Sequence, residues 1–407
     1  ELEDLVSNLG IGIVGKHLVK SRDMHAKFLC GTGKAQEVKQ LAVDCGADCV
    51  VFDNMLAPSQ QREWERLIDE CVIDREEVIL DIFAKRARTR EATLQVELAR
   101  MQYSLPRMAR MWSHLDRQGG GSGGGKGGGG AARGEGEKQI EVDRRLARAR
   151  IEAIQKELVM VTRQRATQRK ERERQAVATA AIVGYTNAGK SSLLSLVSGS
   201  EVMARDMLFA TLDTTTRKIE LPNGQPLLLT DTVGFIRNLP HRLVEAFKST
   251  LEEAVLADFL VQVVDASDPE AVRHYETTLE VLGELGAGDK PMIVVLNKLD
   301  LVPEEERAAL TERLAPHFNG SLVCMSVREG QGTEDLLRAC VEMLESRVRR
   351  ARFLIPYTRS DLAAAMHSEG MVISTEYVEE GALVEAVLPV AFYNKVNQFL
   401  AEPSCEE

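Results

Sequence analysis

The sequence predicts an α/β fold built on a doubly wound, mostly parallel sheet. Apolar runs such as Val177 to Val183 and Pro291 to Leu296 are each followed by a polar motif, helical patterns separate the runs, and a glycine-rich loop follows the first of them. Strands that alternate with helices form parallel sheets, which bind ligands at the carboxyl edge. We therefore expect the polar motifs to meet at one edge of the sheet.

Four domains are predicted along the 407 residues. Residues 1–92 form a small α/β domain, 93–176 an antiparallel helical hairpin, 177–348 the domain of the central sheet, and 349–407 a small α+β domain. In the first and last of these, we predict strands at Ile11–Val14, Cys49–Phe52, Val72–Asp74, Met371–Thr375 and Ala382–Val387, and helices at Ala35–Cys45 and Pro58–Glu70.

The hairpin is predicted from two long helical patterns, Thr93–His114, which continues despite Pro106, and Gln139–Gln175. They are joined by a tip loop at 119–136, in which 119–130 is glycine apart from Ser122 and Lys126. Such a run cannot bury a core, so the tip is expected to be flexible while free, either as a passive linker or as a contact element.

The glycine-rich loop, GYTNAGKS from Gly184 to Ser191, has the spacing of a phosphate-binding loop. Gly184 and Gly189 allow the backbone to approach a phosphate closely. Main-chain N–H groups and the following helix N-terminus then face the phosphates, Lys190 contacts the β and γ oxygens, and the Ser191 hydroxyl is a ligand for Mg²⁺.

A second motif, Asp231-Thr-Val-Gly234, follows the apolar run 227–229. Asp231 is expected to hold a water bound to the metal. Gly234 would offer its N–H to the γ-phosphate, so that hydrolysis releases the segment after it. Between the two motifs, the hydroxyl-rich run 208–217 contains Thr211, our choice for the second Mg²⁺ ligand.

A third motif, Asn297-Lys-Leu-Asp300, points to the base. The Asp300 carboxylate can accept hydrogen bonds from N1–H and the exocyclic amine of guanine, a donor pair that adenine lacks, so it selects GTP over ATP. Asn297 is expected to tie this loop to the phosphate loop, and the stem of Lys298 to cover the base. In the turn Ser326-Val-Arg328, backbone amides are placed to meet the guanine O6.

The complete predicted nucleotide site follows from these motifs. Lys190, Thr211 and Gly234 are predicted to act in hydrolysis, and Ser191 and Thr211 to bind the metal. The residues predicted to bind nucleotide are Gly184, Tyr185, Thr186, Asn187, Ala188, Gly189, Lys190, Ser191, Phe209, Ala210, Thr211, Leu212, Asp213, Asp231, Thr232, Val233, Gly234, Asn297, Lys298, Leu299, Asp300, Ser326, Val327 and Arg328.

The chain resembles the HflX family of translational GTPases, within the large group of Ras-like P-loop GTPases. The resemblance covers nearly the whole chain. It is carried by the runs Phe209–Asp213 (FATLD), Asp231–Phe235 (DTVGF), Leu80–Arg90, Leu94–Leu98, Arg117–Gly120 and Glu141–Arg145. The FATLD motif of the family also assigns the magnesium threonine to Thr211. Two positions depart from the family pattern, Thr214 where proline is usual and Val327 where alanine is usual.

The resemblance implies GTP hydrolysis, a Mg²⁺ cofactor and, as partner, the large ribosomal subunit with its rRNA, which the hairpin tip would reach near the peptidyl transferase region. We expect a monomer. An ATP site has been proposed in the N-terminal region of this family, where Gly31-Thr-Gly-Lys34 is a fragmentary phosphate loop. It lacks the full spacing, and the start of a helix is the alternative that we favour.

The residue after Gly234 is Phe235, where Ras and the α subunits of heterotrimeric G proteins carry the glutamine that orients the attacking water. Hydrolysis is therefore expected to be slow in the isolated protein. Two sources of transition-state stabilisation stay open: a macromolecular partner, or a K⁺ ion held by Asn187, as in related GTPases with an apolar residue at this position. The alternative for Asn187 is that it only shapes the loop.

Charge is distributed unevenly. The chain carries 51 basic and 62 acidic residues, yet residues 85–176 contain 22 basic and 11 acidic ones, a net charge of +11 against −22 elsewhere. Such a belt is either a footprint for nucleic-acid phosphates or the solvated face of long helices. The seven scattered cysteines, the absence of an apolar run of membrane-spanning length, and the start Glu1-Leu-Glu-Asp without a signal pattern favour a reduced, cytoplasmic protein.

Two function classes other than a ribosomal GTPase also involve such nucleotide motifs. A nucleotide-switched protein-assembly or signalling module fits the same motifs, and ribosome-stimulated turnover separates the two. A GTPase coupled to RNA modification is disfavoured because no methyl-donor or nucleophilic cysteine motif accompanies the nucleotide motifs.

Overall fold

The structure, a computed structural model, describes residues 1–20, 25–108, 131–173, 177–199, 209, 211–212, 214–237, 240, 243, 248–345 and 348–401. The chain divides into two compact units. The first comprises Glu1–Thr162, Arg205–Asp213 and Asn238–Ser249, and the second Arg163–Ala204, Thr214–Arg237 and Thr250–Glu407.

The first unit begins with a small α/β layer. Its helices are α1 (Leu2–Asn8), α2 (Thr32–Asp44), α3 (Pro58–Ile68), α4 (Arg75–Arg86) and α5 (Arg90–Ser104), and its strands are β1 (Cys49–Phe52) and β2 (Cys71–Asp74). The two strands pair in parallel, as expected from the helix between them. Trp64 anchors the core, its ring lying 5.1 Å from that of Phe28 and 4.7 Å from that of Phe52.

The hairpin pairs α5 with a long helix, α6 (Ala131–Glu173). Leu94 and Leu98 of α5 bury Ile154 of α6 between them. Ion pairs also join Arg90 to Glu157 and Arg150 to Glu97. Because the partner numbers fall along α6 as they rise along α5, the two helices are antiparallel, as predicted.

The helix ends differ from the predicted ones. α5 stops at Ser104 and a 3₁₀ turn over Leu105–Arg107 follows it, since Pro106 has no N–H for the helical ladder. α6 begins at Ala131, so residues 131–136, predicted as part of the tip loop, are helical. The glycine run at 119–130 lies outside the described residues.

Two other features of the first unit were not anticipated. The predicted strand Ile11–Val14 is irregular and exposed, and it pairs with no strand of the described chain. The sequence reading also missed α1 and α4, although Asp74 gives α4 a capping hydrogen bond by accepting from the Glu77 N–H at 3.0 Å. Gly31–Lys34 forms the start of α2, in accord with the favoured alternative.

The second unit contains a six-stranded sheet in the order β4-β5-β3-β6-β7-β8. Its strands are β3 (Ala178–Gly184), β4 (Thr215–Glu220), β5 (Pro226–Asp231), β6 (Phe259–Asp265), β7 (Met292–Asn297) and β8 (Ser321–Cys324). Only β4 runs antiparallel to its neighbour, so the sheet is mostly parallel, as predicted. The polar motifs follow β3, β5 and β7 at the carboxyl edge.

Helices cover the sheet and are followed by a second, smaller sheet. The helices of this part are α7 (Lys190–Ser198), α8 (Lys248–Leu256), α9 (Ala271–Glu284), α10 (Glu304–Leu314), α11 (Thr333–Glu345), α12 (Ser360–Glu369) and α13 (Val390–Val396). The strands β9 (Val348–Ile355), β10 (Met371–Val378) and β11 (Gly381–Pro389) form an antiparallel sheet in the order β10-β11-β9. It has its own core around Phe353 and Val384. Among the described helices, none combines the length and the apolar character needed to cross a membrane.

Candidate nucleotide site

The phosphate loop connects β3 to α7, and its glycines are required by close contacts. A Cβ atom on Gly184 would lie 2.3 Å from the Val263 carbonyl oxygen, and one on Gly189 would lie 2.3 Å from Nδ2 of Asn297. Both glycines also have positive φ angles, 141° and 102°. Asn187 has a φ of 62°, a conformation that asparagine tolerates better than most residues. The backbone shape of the loop thus requires glycine at positions 184 and 189, where neighbouring segments leave no room for a side chain.

Lys190 is buried at the first position of α7. Its Nζ donates to the carbonyl oxygens of Tyr185, at 2.7 Å, and Gly184, at 3.1 Å. Burial lowers the pKa of Lys190 to about 8, against the opposing effect of the Asp231 carboxylate. The ammonium group is therefore held at the loop by neutral acceptors, where an anion would stabilise its charge.

Ser191 and Asp231 meet at the position predicted for the metal. The Ser191 Oγ donates to Oδ2 of Asp231 at 2.7 Å, and Asp231 is buried at the end of β5. A hydroxyl and a carboxylate side by side are the hard oxygen groups that Mg²⁺ prefers, and Mg²⁺ takes its other ligands from phosphates and water. The described residues hold no cluster of three or more His, Cys, Asp or Glu side chains that could bind a metal.

The DTVG motif lies directly against the phosphate loop. A Cβ atom on Gly234 would be 2.8 Å from both Nζ of Lys190 and Cγ2 of Thr186, so no larger residue fits. Phe235 pairs with the loop through its main chain, since its N–H donates to Gly184 at 3.1 Å and its carbonyl accepts from Thr186 at 2.8 Å. Thr232 donates through its Oγ1 to the Ile182 carbonyl at 2.7 Å.

Two side chains in this region bear on hydrolysis. The Phe235 ring is 1% exposed, so this position places no polar group beside the phosphate loop. The hydroxyl of Thr186 is buried and has no hydrogen-bond partner within the described part of the chain. A group able to bond a phosphate oxygen or water is thus present, although the water-orienting glutamine of Ras is not.

The third motif and the last turn form one corner. The Asn297 side chain donates to the Ala188 carbonyl at 2.8 Å and accepts from the Val327 N–H at 3.0 Å, which ties the phosphate loop to the turn at 326–328. Asp300 accepts from the Ser326 hydroxyl at 2.7 Å, which orients the carboxylate. In the same turn, Val327 is buried and Arg328 is exposed.

One residue of this corner was missed by the sequence reading. Oδ2 of Asp265, at the end of β6, lies 2.7 Å from Nζ of Lys298. This ion pair fixes the side chain of Lys298 within the third motif. The signal was available, because β6 is an apolar run that ends in an aspartate in the same way as β5. Leu299 is buried beneath the corner and anchors it.

The switch residues predicted between α7 and β4 belong to the first compact unit. There Phe209 is buried, and its ring meets that of Phe83 edge to face with centroids 4.6 Å apart. Leu212 is buried and Thr211 is half-buried. Ala210 and Asp213 lie outside the described residues. The role of Thr211 as a metal ligand stays a prediction.

Family models match three consecutive parts of the chain. Residues 1–84 match the model described as GTP-binding GTPase N-terminal, 86–172 the GTP-binding GTPase Middle Region, and 179–298 the 50S ribosome-binding GTPase.

Two similar proteins from different bacteria carry the same name. A GTPase HflX of Akkermansia muciniphila is 91% identical over 402 residues, which cover 99% of this chain and 92% of that protein. A GTPase HflX of Escherichia coli K12 is 40% identical over 385 residues, covering 94% and 87%. Among solved structures, a GTP-binding protein from Sulfolobus solfataricus in complex with GDP is 24% identical, with a TM-score of 0.43 and coverage of 84% of this chain and 94% of that one.

Proposed function

Since this chain belongs to the HflX family of GTPases, we propose that it acts on the ribosome. In this proposal it binds the large subunit in its GTP state, promotes separation of the subunits, and hydrolyses GTP to GDP and phosphate in order to leave. The observation that carries the proposal is the match of residues 179–298 to a family described as a 50S ribosome-binding GTPase.

The charge of the hairpin supports an RNA partner. Arg145, Arg148 and Lys156 are exposed along α6, within the region that carries a net charge of +11. Exposed cations spaced along one helix can neutralise a row of phosphates, and the release of counterions then favours binding. The tip at 119–130 would make the deepest rRNA contacts.

The nucleotide chemistry is assigned to groups of the second unit. Lys190 and the loop N–H groups would bind the β- and γ-phosphates, and Asp300 would accept from guanine. Ser191 would hold Mg²⁺, which when bound neutralises charge that develops on the phosphates. Asp231 lies beside Ser191, where it would hold a water of the metal.

The attacking water needs an orienting group from outside the position of Phe235. Asn187 is exposed at the mouth of the phosphate loop, where an amide oxygen could help to hold K⁺. The large subunit is the other source. In either case we expect slow hydrolysis by the isolated protein and a large increase once the missing group is supplied.

The proposal is tested by GTP hydrolysis with and without purified large ribosomal subunits, in potassium and in sodium, together with GTP-dependent cosedimentation. We expect strong stimulation by the subunits and cosedimentation that weakens as salt rises. As a matched pair, Arg145→Ala/Arg148→Ala should reduce cosedimentation, whereas Arg350→Ala, an exposed arginine of β9 that pairs with Glu385, should not. If the subunits neither stimulated hydrolysis nor cosedimented with the protein, a nucleotide-switched assembly module would be the better function.

A further inference from the structure

The side chain of Tyr185 makes contacts outside the phosphate loop, in addition to the contacts of its main chain within the loop. Tyr185 is buried, and its ring lies flat on the imidazole of His274 in α9, with centroids 3.8 Å apart and planes inclined by 12°. The ring is therefore committed to α9, while the main chain of Tyr185 remains part of the loop.

The hydroxyl of the same tyrosine reaches the segment that follows the DTVG motif. Its oxygen accepts a hydrogen bond from the main-chain N–H of Arg237 at 2.9 Å. The Arg237 guanidinium in turn lies 3.6 Å from the carboxylate of Glu270, the residue that precedes α9. Tyr185 and the start of α9 thus hold the chain three residues beyond Gly234.

This contact complements the main-chain pairing of Phe235 with the loop. Phe235 is bonded through its N–H to Gly184 and through its carbonyl to Thr186, and the next fixed point is the N–H of Arg237. Gly234, whose N–H is assigned to the γ-phosphate, is the residue immediately before these anchors. A small rotation of the segment would misdirect that N–H, because hydrogen bonds weaken steeply with angle.

We propose that Tyr185 is a positioning residue for GTP hydrolysis: stacked on His274, it fixes the segment 235–237 through its hydroxyl and so keeps Gly234 directed at the γ-phosphate. Binding of GDP does not depend on the γ-phosphate contact. Loss of the hydroxyl is therefore expected to slow turnover and to leave GDP affinity in place.

The test compares two tyrosine-to-phenylalanine variants of the full chain. Tyr185→Phe keeps the stack on His274 and removes the bond to Arg237. Tyr275→Phe, in the same helix as His274, removes a bond of the same kind, since the buried Tyr275 hydroxyl accepts from the N–H of Asn319 at 3.1 Å. For each variant, kcat and KM for GTP, the affinity for GDP, and the thermal unfolding midpoint are measured.

We expect Tyr185→Phe to lower kcat between about twofold and tenfold, the range that corresponds to one neutral hydrogen bond, with KM and GDP affinity within about twofold of the unmodified protein. Tyr275→Phe should lower the unfolding midpoint at least as much and leave kcat in place. A kcat that is equal in the two variants would overturn the proposal, as would a loss in Tyr185→Phe that appears equally in GDP affinity.

A second pair of variants examines the stack. His274→Ala removes the flat partner of Tyr185, whereas His274→Phe keeps an aromatic surface there. The proposal requires kcat to fall further in His274→Ala than in His274→Phe. The reverse order, or no change in either variant, would show that the stack does not position the segment.

Discussion

The base corner, formed by Asn297, Lys298, Asp300 and Ser326, differs from the phosphate corner, formed by Thr186, Lys190, Ser191 and Asp231. In the base corner, Asn297 is held by Ala188 and Val327, Lys298 by Asp265, and Asp300 by Ser326. In the phosphate corner, Lys190 is buried against neutral carbonyls with a lowered pKa, and the Thr186 hydroxyl is without a partner among the described residues.

The difference separates recognition from chemistry. The protein itself supplies the contacts that orient the base corner, so guanine, if it binds there as predicted, would meet a preorganised surface and lose little in ordering it. The phosphate corner contains cationic and hydroxyl groups whose strongest partners would be phosphate, metal and water. We therefore predict that base choice is built into the fold, whereas the hydrolysis rate depends on what completes the second corner.

The largest effect is expected from Lys190→Ala in the phosphate corner. Removal of a charge placed beside the β- and γ-oxygens should lower kcat/KM for GTP about 1000-fold, because such charge stabilises the transition state in a water-poor site. Lys218→Ala, an exposed lysine of β4, is the control and should have no effect. If the two variants were equally active, the phosphate corner would be wrongly assigned.

Asp300→Asn should change which base the base corner accepts. An amide in place of the carboxylate loses one acceptor for the guanine donors, so we expect the affinity for GTP to fall about 100-fold. Xanthosine triphosphate, which has a carbonyl where guanine has its amine, should bind better to the variant than GTP does. Equal loss of both nucleotides in a binding titration would indicate that Asp300 only supports the fold.

The pH dependence of nucleotide binding tests the charge of the phosphate corner. Burial lowers the pKa of Lys190 to about 8, and phosphates favour its protonated form, so binding takes up a proton above that pH. The affinity for GDP should fall about tenfold between pH 7 and pH 9, with half of the protonated lysine already lost at pH 8. Lys190→Met, measured over the same range, should lose this slope. If the affinity of Lys190→Met for GDP depended on pH in the same way, the titrating group would be another residue.

The smallest effect, a change in stability, is expected from two buried threonines, of which only Thr232 has a hydrogen-bond partner for its hydroxyl among the described residues. Thr186→Val removes a buried hydroxyl that has no hydrogen-bond partner in the described chain, so the free energy of unfolding without nucleotide should rise by about 1 kcal/mol. Thr232→Val removes one that donates to Ile182, and should lower it by a similar amount. Urea unfolding measures both. A gain of stability in Thr186→Val with a loss in Thr232→Val would support the difference between the two hydroxyls, and a loss of stability in both variants would contradict it.

Much of the fold followed from local patterns. The parallel order of the large sheet, the strands β1 and β2, and the antiparallel hairpin were predicted because apolar periodicity and strand–helix alternation leave few other arrangements. Helix ends were less accurate. The sequence reading carried α5 through Pro106 and began α6 eight residues too late, since end positions depend on capping and packing as well as periodicity. The domain boundaries and the nucleotide-binding roles of single residues stay predictions.

The sequence by itself determined the identity of the chemical groups: the loop from Gly184 to Ser191, Asp231 and Asp300 could be chosen because each lies in a short motif whose spacing limits its local geometry. Only the tertiary structure decided which distant groups meet. Asn297 reaches Ala188 across 109 positions, Asp265 holds Lys298, and Tyr185 stacks on His274. The reason is physical. Local conformation depends on neighbouring residues, whereas these contacts depend on how strands and helices pack, which no single segment of the sequence determines.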